Sequence, residues 1–290
     1  MNLKRNLVVL RNYLVYKYFD VTGKLALRKL PVDKESKFVV SIASYPKRDY
    51  LLTSVFQALS RQTTLPKKWI LVLSMEEYSS GLPPHLRRLE KRGLEIIWTS
   101  NNTYAVKKLV PVVEKYPELD VITLDDDNIY HIRLIEGMLN EILIRPKAIV
   151  GYVGKTLFRD GEKLNILYRK GVPSDRNSES PSIYFLGWGG VYYPSGSLDK
   201  RALDLSAIRR IVPGRGSDLW FWAAAVSNNT QQVCLGVPHD INLAIPVPIN
   251  VYTKPRDTPG IDILEQRFQK AIDYFGIREK LLEVLPEKDS

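Results

Sequence analysis

Between residues 38 and 153 the chain alternates short, unbroken apolar runs with stretches that repeat at helical spacing, and this pattern restricts it to the α/β class. Phe38–Ala43 (FVVSIA), Trp69–Leu73 (WILVL), Leu94–Trp98, Val121–Leu124 (VITL) and Ala148–Val153 read as strands. Helices are predicted over Tyr50–Gln62, Pro83–Arg92 (stopped by Gly93), Tyr104–Tyr116 (ended near Pro117) and Ile132–Ile144. Strands apolar on both faces belong in a mostly parallel sheet flanked by helices. Ligands of such sheets bind beyond the carboxyl ends of the strands, which directs attention to the residues after Ala43, Leu73 and Leu124.

Past residue 155 the pattern changes. Residues 159–182 are polar and read as a long loop or an irregular hairpin. Ile183–Leu186 and Val191–Tyr193 are strand-like around a glycine turn, Leu219–Val226 is helical and Val233–Val237 is a short strand. Residues 241–260 carry four prolines, and Ile261–Glu283 forms one or two helices. The expected organisation is an arm over 1–36, one domain over 37–240 and an irregular, then helical, extension over 241–290. No internal repeat, Walker A loop or dinucleotide glycine fingerprint is present.

With 44% hydrophobic and 26% charged residues in 290, the composition is that of a folded globular protein. A single cysteine, Cys234, excludes an internal disulfide and a four-cysteine zinc site, and fits a reducing compartment. Three scattered histidines make a histidine-rich site improbable, so a bound metal would sit on carboxylate oxygens, as Mn²⁺ or Mg²⁺ do.

The net charge of +10 is uneven: residues 1–30 hold seven basic residues and one acid, Asp20, leaving +4 for the rest. Charges interrupt this arm too often for a membrane span, and no signal-peptide pattern is present. Leu7, Leu10, Leu14 and Tyr18, with Val8 and Val15, recur at helical spacing. Two readings share that pattern: a basic helix on an anionic membrane surface, or a helix docked on the protein's own core. Elsewhere the lysines are dispersed, without the basic stripe and interleaved aromatics of a nucleic-acid binder, so no nucleic-acid partner is expected.

Asp125-Asp126-Asp127 is the sharpest chemical feature. Three adjacent carboxylates repel one another, and a divalent cation with phosphate oxygens would remove that penalty. In an extended segment Asp125 and Asp127 share one face. The competing reading is an acidic cap on a helix beginning near Ile129.

FVVSIASYPKR, the helix ending SRQTTLP, then WILVLS and VITLDDDNIY resemble the nucleotide-binding half of family-2-like GT-A glycosyltransferases, and more narrowly enzymes that build bacterial cell-surface polysaccharides. GWGGVYYP and GRGSDLWFW extend the resemblance, which spans roughly residues 38–225. It implies a GT-A-like α/β fold, that of nucleotide-diphospho-sugar transferases. It also implies a UDP- or GDP-linked sugar donor and a saccharide acceptor, free or lipid-linked. In it Ser44, Tyr45, Pro46 and Arg48 seat base and ribose, Lys107 and Lys108 approach the base or diphosphate, Asp125 and Asp126 contact the nucleotide, and Asp125 and Asp127 hold Mn²⁺ or Mg²⁺. Trp188, Gly189, Gly190 and Tyr192 line a sugar or acceptor subsite, against a plain reading as a glycine-rich hairpin. The resemblance also implies Asp218 as the catalytic base of an inverting transfer, against a plain reading in which Ser217 or Asp218 caps a helix. The family usually has an acidic pair at this point, and here Ser217 stands in the first position. His239 and Asp240 are further candidates near the metal or diphosphate, with a structural role the commoner alternative. The expected location is cytoplasmic, peripheral at the inner membrane face.

Two other functions compete. A sugar-nucleotide pyrophosphorylase would carry a glycine- and arginine-rich loop after its first strand, where this chain has SYPKR. A non-catalytic nucleotide- or saccharide-binding module would explain Ser217.

Overall fold

The computed structural model describes residues 3–100, 102–169, 178–214, 216–236, 242–246 and 263–288. Helix α1 (Leu3–Leu25) precedes four strands, β1 (Phe38–Ala43), β2 (Trp69–Ser74), β3 (Glu95–Thr99) and β4 (Asp120–Leu124), linked by α2 (Leu52–Leu59), α3 (Pro84–Lys91) and α4 (Val110–Lys115). Next come β5 (Asn128–Tyr130), α5 (Leu134–Ile144), β6 (Ile149–Gly151), β7 (Gly154–Thr156) and the hairpin β8 (Arg159–Asp160) and β9 (Lys163–Leu164). Strands β10 (Ser178–Glu179), β11 (Ile183–Phe185) and β12 (Val191–Tyr193) lead to α6 (Leu205–Ile211), α7 (Ser217–Ser227), β13 (Gln232–Cys234), β14 (Asn242–Ala244), α8 (Ile263–Phe275) and α9 (Arg278–Val284).

Eight strands form the central sheet in the order β10-β13-β6-β12-β4-β1-β2-β3. β3, β2, β1 and β4 run parallel, β12 is inserted antiparallel between β4 and β6, and β13 runs parallel to β6. The mostly parallel sheet flanked by helices is therefore the one expected. Alternation along the strands splits the core in two. Val39, Ile70 and Val72 face α4, α6, α7 and α8, while Val40, Ile42, Trp69 and Leu71 face α2, α3 and α5.

Three local readings are corrected. Tyr104–Tyr116 is not one helix: a 3-10 turn over Tyr104–Lys108 breaks from α4 at Leu109. No helix begins near Ile129, because Asn128–Tyr130 is a strand paired with Asn242–Ala244. Helix α6 was not expected; the Asp204 carboxylate caps it by accepting the Ser206 and Ala207 N–H groups.

Glu95 at the sheet edge ties β3 to Lys68, Lys115 and Tyr116. Burial alone would raise its carboxyl, but the hydrogen bonds from Lys115, Tyr116 and Lys68 bring it down to about 2 from 4.5. A depressed acid contributes stability that is present above its unfolded pKa and lost as pH falls through the folded one. Glu95→Gln is thus expected to lower stability by about 1 kcal/mol near neutral pH, discounted for solvent screening. Paired melting curves should show that difference shrinking between pH 4.5 and about 2.

Candidate active site

The carboxyl ends of β1 to β4 open onto one edge, and the segments after these strands bring polar and charged side chains together there. After β1, Ser44 is buried and donates to Asp126 Oδ2 at 2.6 Å. Arg48 reaches across to Asp126 Oδ1, and to Asp127 Oδ2 at 2.8 Å. The Arg48 guanidinium lies 5.9 Å from the Tyr45 ring, and Pro46 is exposed beside them. Buried Arg48 Nε has no hydrogen-bond partner, a donor in want of an acceptor beside the acids.

The three carboxylates after β4 sit in different surroundings. Asp126 turns inward and is buried; burial pushes its carboxyl up to about 6, although Arg48 and Ser44 pull it down. Asp125 and Asp127 stay partly open, with 33% and 16% of their side chains exposed. Asp125 Oδ1 pairs with Lys108 Nζ at 2.9 Å. Asp127 Oδ1 accepts from Asn128 Nδ2 at 3.0 Å. Tyr130, singled out by no sequence argument, locks the turn: its hydroxyl accepts the Asp125 N–H at 2.7 Å and donates to the Trp188 carbonyl at 3.2 Å.

Lys107 and Lys108 point inward, not to a solvated helix face. The left-handed turn at Tyr104 (φ 51°) starts the 3-10 segment that carries them, a conformation costly for a bulky residue. Lys107 is buried against Glu77 Oε2 at 2.6 Å, and Glu77 also accepts from Asn102. Glu77, after β2, and Asn102, after β3, join the edge without having been read from sequence; single polar residues past a strand carry no periodic signal.

Across Lys108 lies Asp218, in the first turn of α7. Gly216, with φ 106°, stands at the helix N-cap and no side chain caps the helix. The Asp218 carboxylate is thereby free to accept the Gly187 N–H at 3.1 Å, so the capping reading of Ser217 or Asp218 does not hold. Ser217 Oγ donates to Asp218 Oδ1 at 3.4 Å. Burial raises the Asp218 pKa above its ordinary 3.8, opposed by Lys108 and the Gly187 N–H.

GWGGVYYP divides between the site and the core. Trp188 is 42% exposed at the edge. Gly189 and Gly190 are buried, where a Cβ would strike Val153 at 2.4 Å and Leu124 at 2.9 Å respectively. Tyr192 is corrected outright: antiparallel β12 carries it away from the edge, and its hydroxyl donates to Asp120 Oδ2 at 2.5 Å, at the opposite end of β4. It lines no sugar subsite. His239, Asp240 and Arg215 lie outside the described residues.

No protein-family model matches the chain. No curated protein matches it either. Among solved structures it is similar to residues 1–349 of S. aureus TarS in complex with UDP, with a TM-score of 0.46 and 15% identity over 74% of this chain and 62% of that one. Another structure of TarS 1–349 gives 0.46 and 13% over 84% and 74%, and a structure of S. aureus TarS gives 0.45 and 14% over 74% and 38%. The chain spans less than two thirds of the length of the first of these.

A Cβ on Gly187 would lie 2.7 Å from Lys108 Nζ and 2.8 Å from Asp218 Oδ1. Both are ends of side chains that can shift, so Gly187→Ala should leave melting temperature within a few degrees while displacing Asp218. With Asp218 as the proposed base, a shift of about 1 Å would cost on the order of a hundredfold in rate. Turnover measured beside thermal melting separates the two effects.

Proposed function

We propose that the chain is a GT-A-type glycosyltransferase that moves a sugar from a nucleoside-diphosphate donor to a saccharide hydroxyl with inversion. One observation carries the reading: a partly open acid pair, Asp125 and Asp127, and a separate carboxylate, Asp218, face one sheet edge with buried Lys108 between them. Two negative centres with different surroundings suit two different tasks, holding the donor and taking a proton.

The donor set fits a divalent ion in a limited way. Among the described residues no three His, Cys, Asp or Glu side chains gather at a point that could hold a metal ion. Asp125 and Asp127 would supply two carboxylates, and the remaining ligands would be diphosphate oxygens and water, the pattern Mg²⁺ and Mn²⁺ favour. When bound there, such an ion offsets the charge that builds on the departing diphosphate. Arg48, with its unpaired Nε, adds a fixed positive charge and a donor for the nucleotide. Trp188 offers an exposed ring to the sugar or the acceptor.

In the transfer, the acceptor hydroxyl oxygen forms a bond to the anomeric carbon as the bond from that carbon to the diphosphate oxygen breaks. The electron pair leaves with the diphosphate, and the hydroxyl proton passes to Asp218. A base must be ionised to act, and burial holds Asp218 above 3.8. The acidic limb of the kcat/KM profile is therefore expected above that value.

The test is release of nucleoside diphosphate from a panel of UDP- and GDP-sugars, with Mn²⁺ and with chelator. The reading predicts slow metal-dependent hydrolysis of one donor, faster with an acceptor. Formation of nucleoside triphosphate and sugar 1-phosphate, only when pyrophosphate is added, would indicate a pyrophosphorylase, and binding without release a non-catalytic module.

A further inference from the structure

Helix α1 has two apolar faces, and the fold uses one. Its inner face carries Tyr16, Phe19 and Gly23, buried against α2. A Cβ on Gly23 would meet Thr53 at 2.9 Å, so this contact is close and leaves no slack. The opposite face carries Leu7, Leu10, Leu14, Tyr18, Val21 and Leu25, each more than half exposed, at spacings of three and four residues. Scattered exposed apolar residues are ordinary, whereas a continuous stripe of six marks a surface that is covered in use.

Charge identifies what covers it. Arg11 borders the stripe on one side and Lys17 and Lys24 on the other, all exposed, with Arg28 and Lys29 just beyond the helix. The only acid of the helix, Asp20, is buried on the inner side and pairs with Lys24. A second copy of the helix would bring these cations against their like, which disfavours pairing. An anionic bilayer surface accepts both features: apolar side chains enter the acyl boundary and the basic ends reach the headgroups. The helix is not long and apolar enough to cross a membrane, so it would lie flat.

We propose that the outward face of α1 docks the protein on an anionic lipid surface. The helix is tied to the catalytic edge: Asn12 Nδ2 donates to the Ala244 carbonyl at 3.0 Å, and the adjoining Ile245 N–H donates to the Asp127 carbonyl at 2.9 Å. Docking would thus hold the acidic edge near the interface, within reach of a lipid-linked acceptor, a consequence that rests on the transferase reading.

Sedimentation of the full chain with vesicles of phosphatidylglycerol and phosphatidylcholine, against phosphatidylcholine alone, tests docking with no nucleotide-sugar present, so its outcome is independent of the catalytic proposal. Binding is expected to be at least about tenfold tighter to the anionic vesicles and to weaken with salt. Arg11→Gln with Lys17→Gln should weaken it by about fivefold per charge removed. Leu10→Ser with Leu14→Ser should weaken it by at least about tenfold with an unchanged melting temperature. If the leucine variant unfolds, the charge variant decides. Equal binding to both vesicle types, no binding to either, or a lipid-free dimer abolished by Leu10→Ser with Leu14→Ser would overturn the proposal.

Discussion

Asp218→Asn is expected to lower kcat for sugar transfer by about 10²–10⁴-fold, the usual contribution of a positioned general base. The amide oxygen can still accept the Gly187 N–H that Asp218 accepts at 3.1 Å, so the loop before β12 keeps its place. Donor affinity should change by less than about threefold, since an interaction made only in the transition state affects kcat and kcat/KM alike. Lys108 also loses a negative neighbour but retains Asp125 at 2.9 Å. Steady-state kinetics together with nucleotide titration would show the split. Near-normal turnover in the variant would remove Asp218 from the chemistry and leave the site without a base among the residues proposed here.

The second large effect separates the members of the acidic triplet. Asp127→Ala should leave the fold standing, because Asp126 still holds Arg48. The stabilisation that UDP or GDP confers only with Mn²⁺, about 2.7 kcal/mol at a hundredfold excess over Kd, should vanish. Asp126→Ala should behave in the opposite way. It removes the buried partner of Arg48 and Ser44, and breaking a buried ion pair costs about 3–5 kcal/mol. The retained Asp127 contact puts this variant near the lower end of that range. Differential scanning fluorimetry with and without nucleotide and Mn²⁺ distinguishes them: one variant melts normally and ignores the nucleotide, while the other melts early. If both melted early and equally, the triplet would be a structural cluster.

The parallel half of the fold was legible because buried parallel strands are written as continuous apolar runs. Residues 38–43 match β1 at both ends, and β2, β3 and β4 lie within a residue of the runs that predicted them. The carboxyl-end rule pointed to the segments after β1 and β4, where Ser44 and Arg48 meet Asp126 and Asp127. What the sequence hid was everything that depends on partners far along the chain. The pairing of Asn128–Tyr130 with Asn242–Ala244 turned an expected helix start into a strand. The insertion of β12 against β4 in the antiparallel sense sent Tyr192 to Asp120 and away from the site. Lys107 and Lys108 fell inside a predicted regular helix, whereas the left-handed turn at Tyr104 opens a 3-10 segment in which both are buried and paired. Asp218 was legible as a carboxylate at a helix start. Its release from capping was not, because that follows from Gly216 holding the N-cap position with a positive φ.

Crystals grown with Mn²⁺ and UDP or GDP, measured at the manganese edge, test the proposed donor site most directly. An anomalous peak is expected in contact with Asp125, Asp127 and the diphosphate, with Asp126 remaining on Ser44 and Arg48. A nucleotide bound with no metal at that edge, or metal and nucleotide both bound away from the carboxyl ends of β1 and β4, would contradict it.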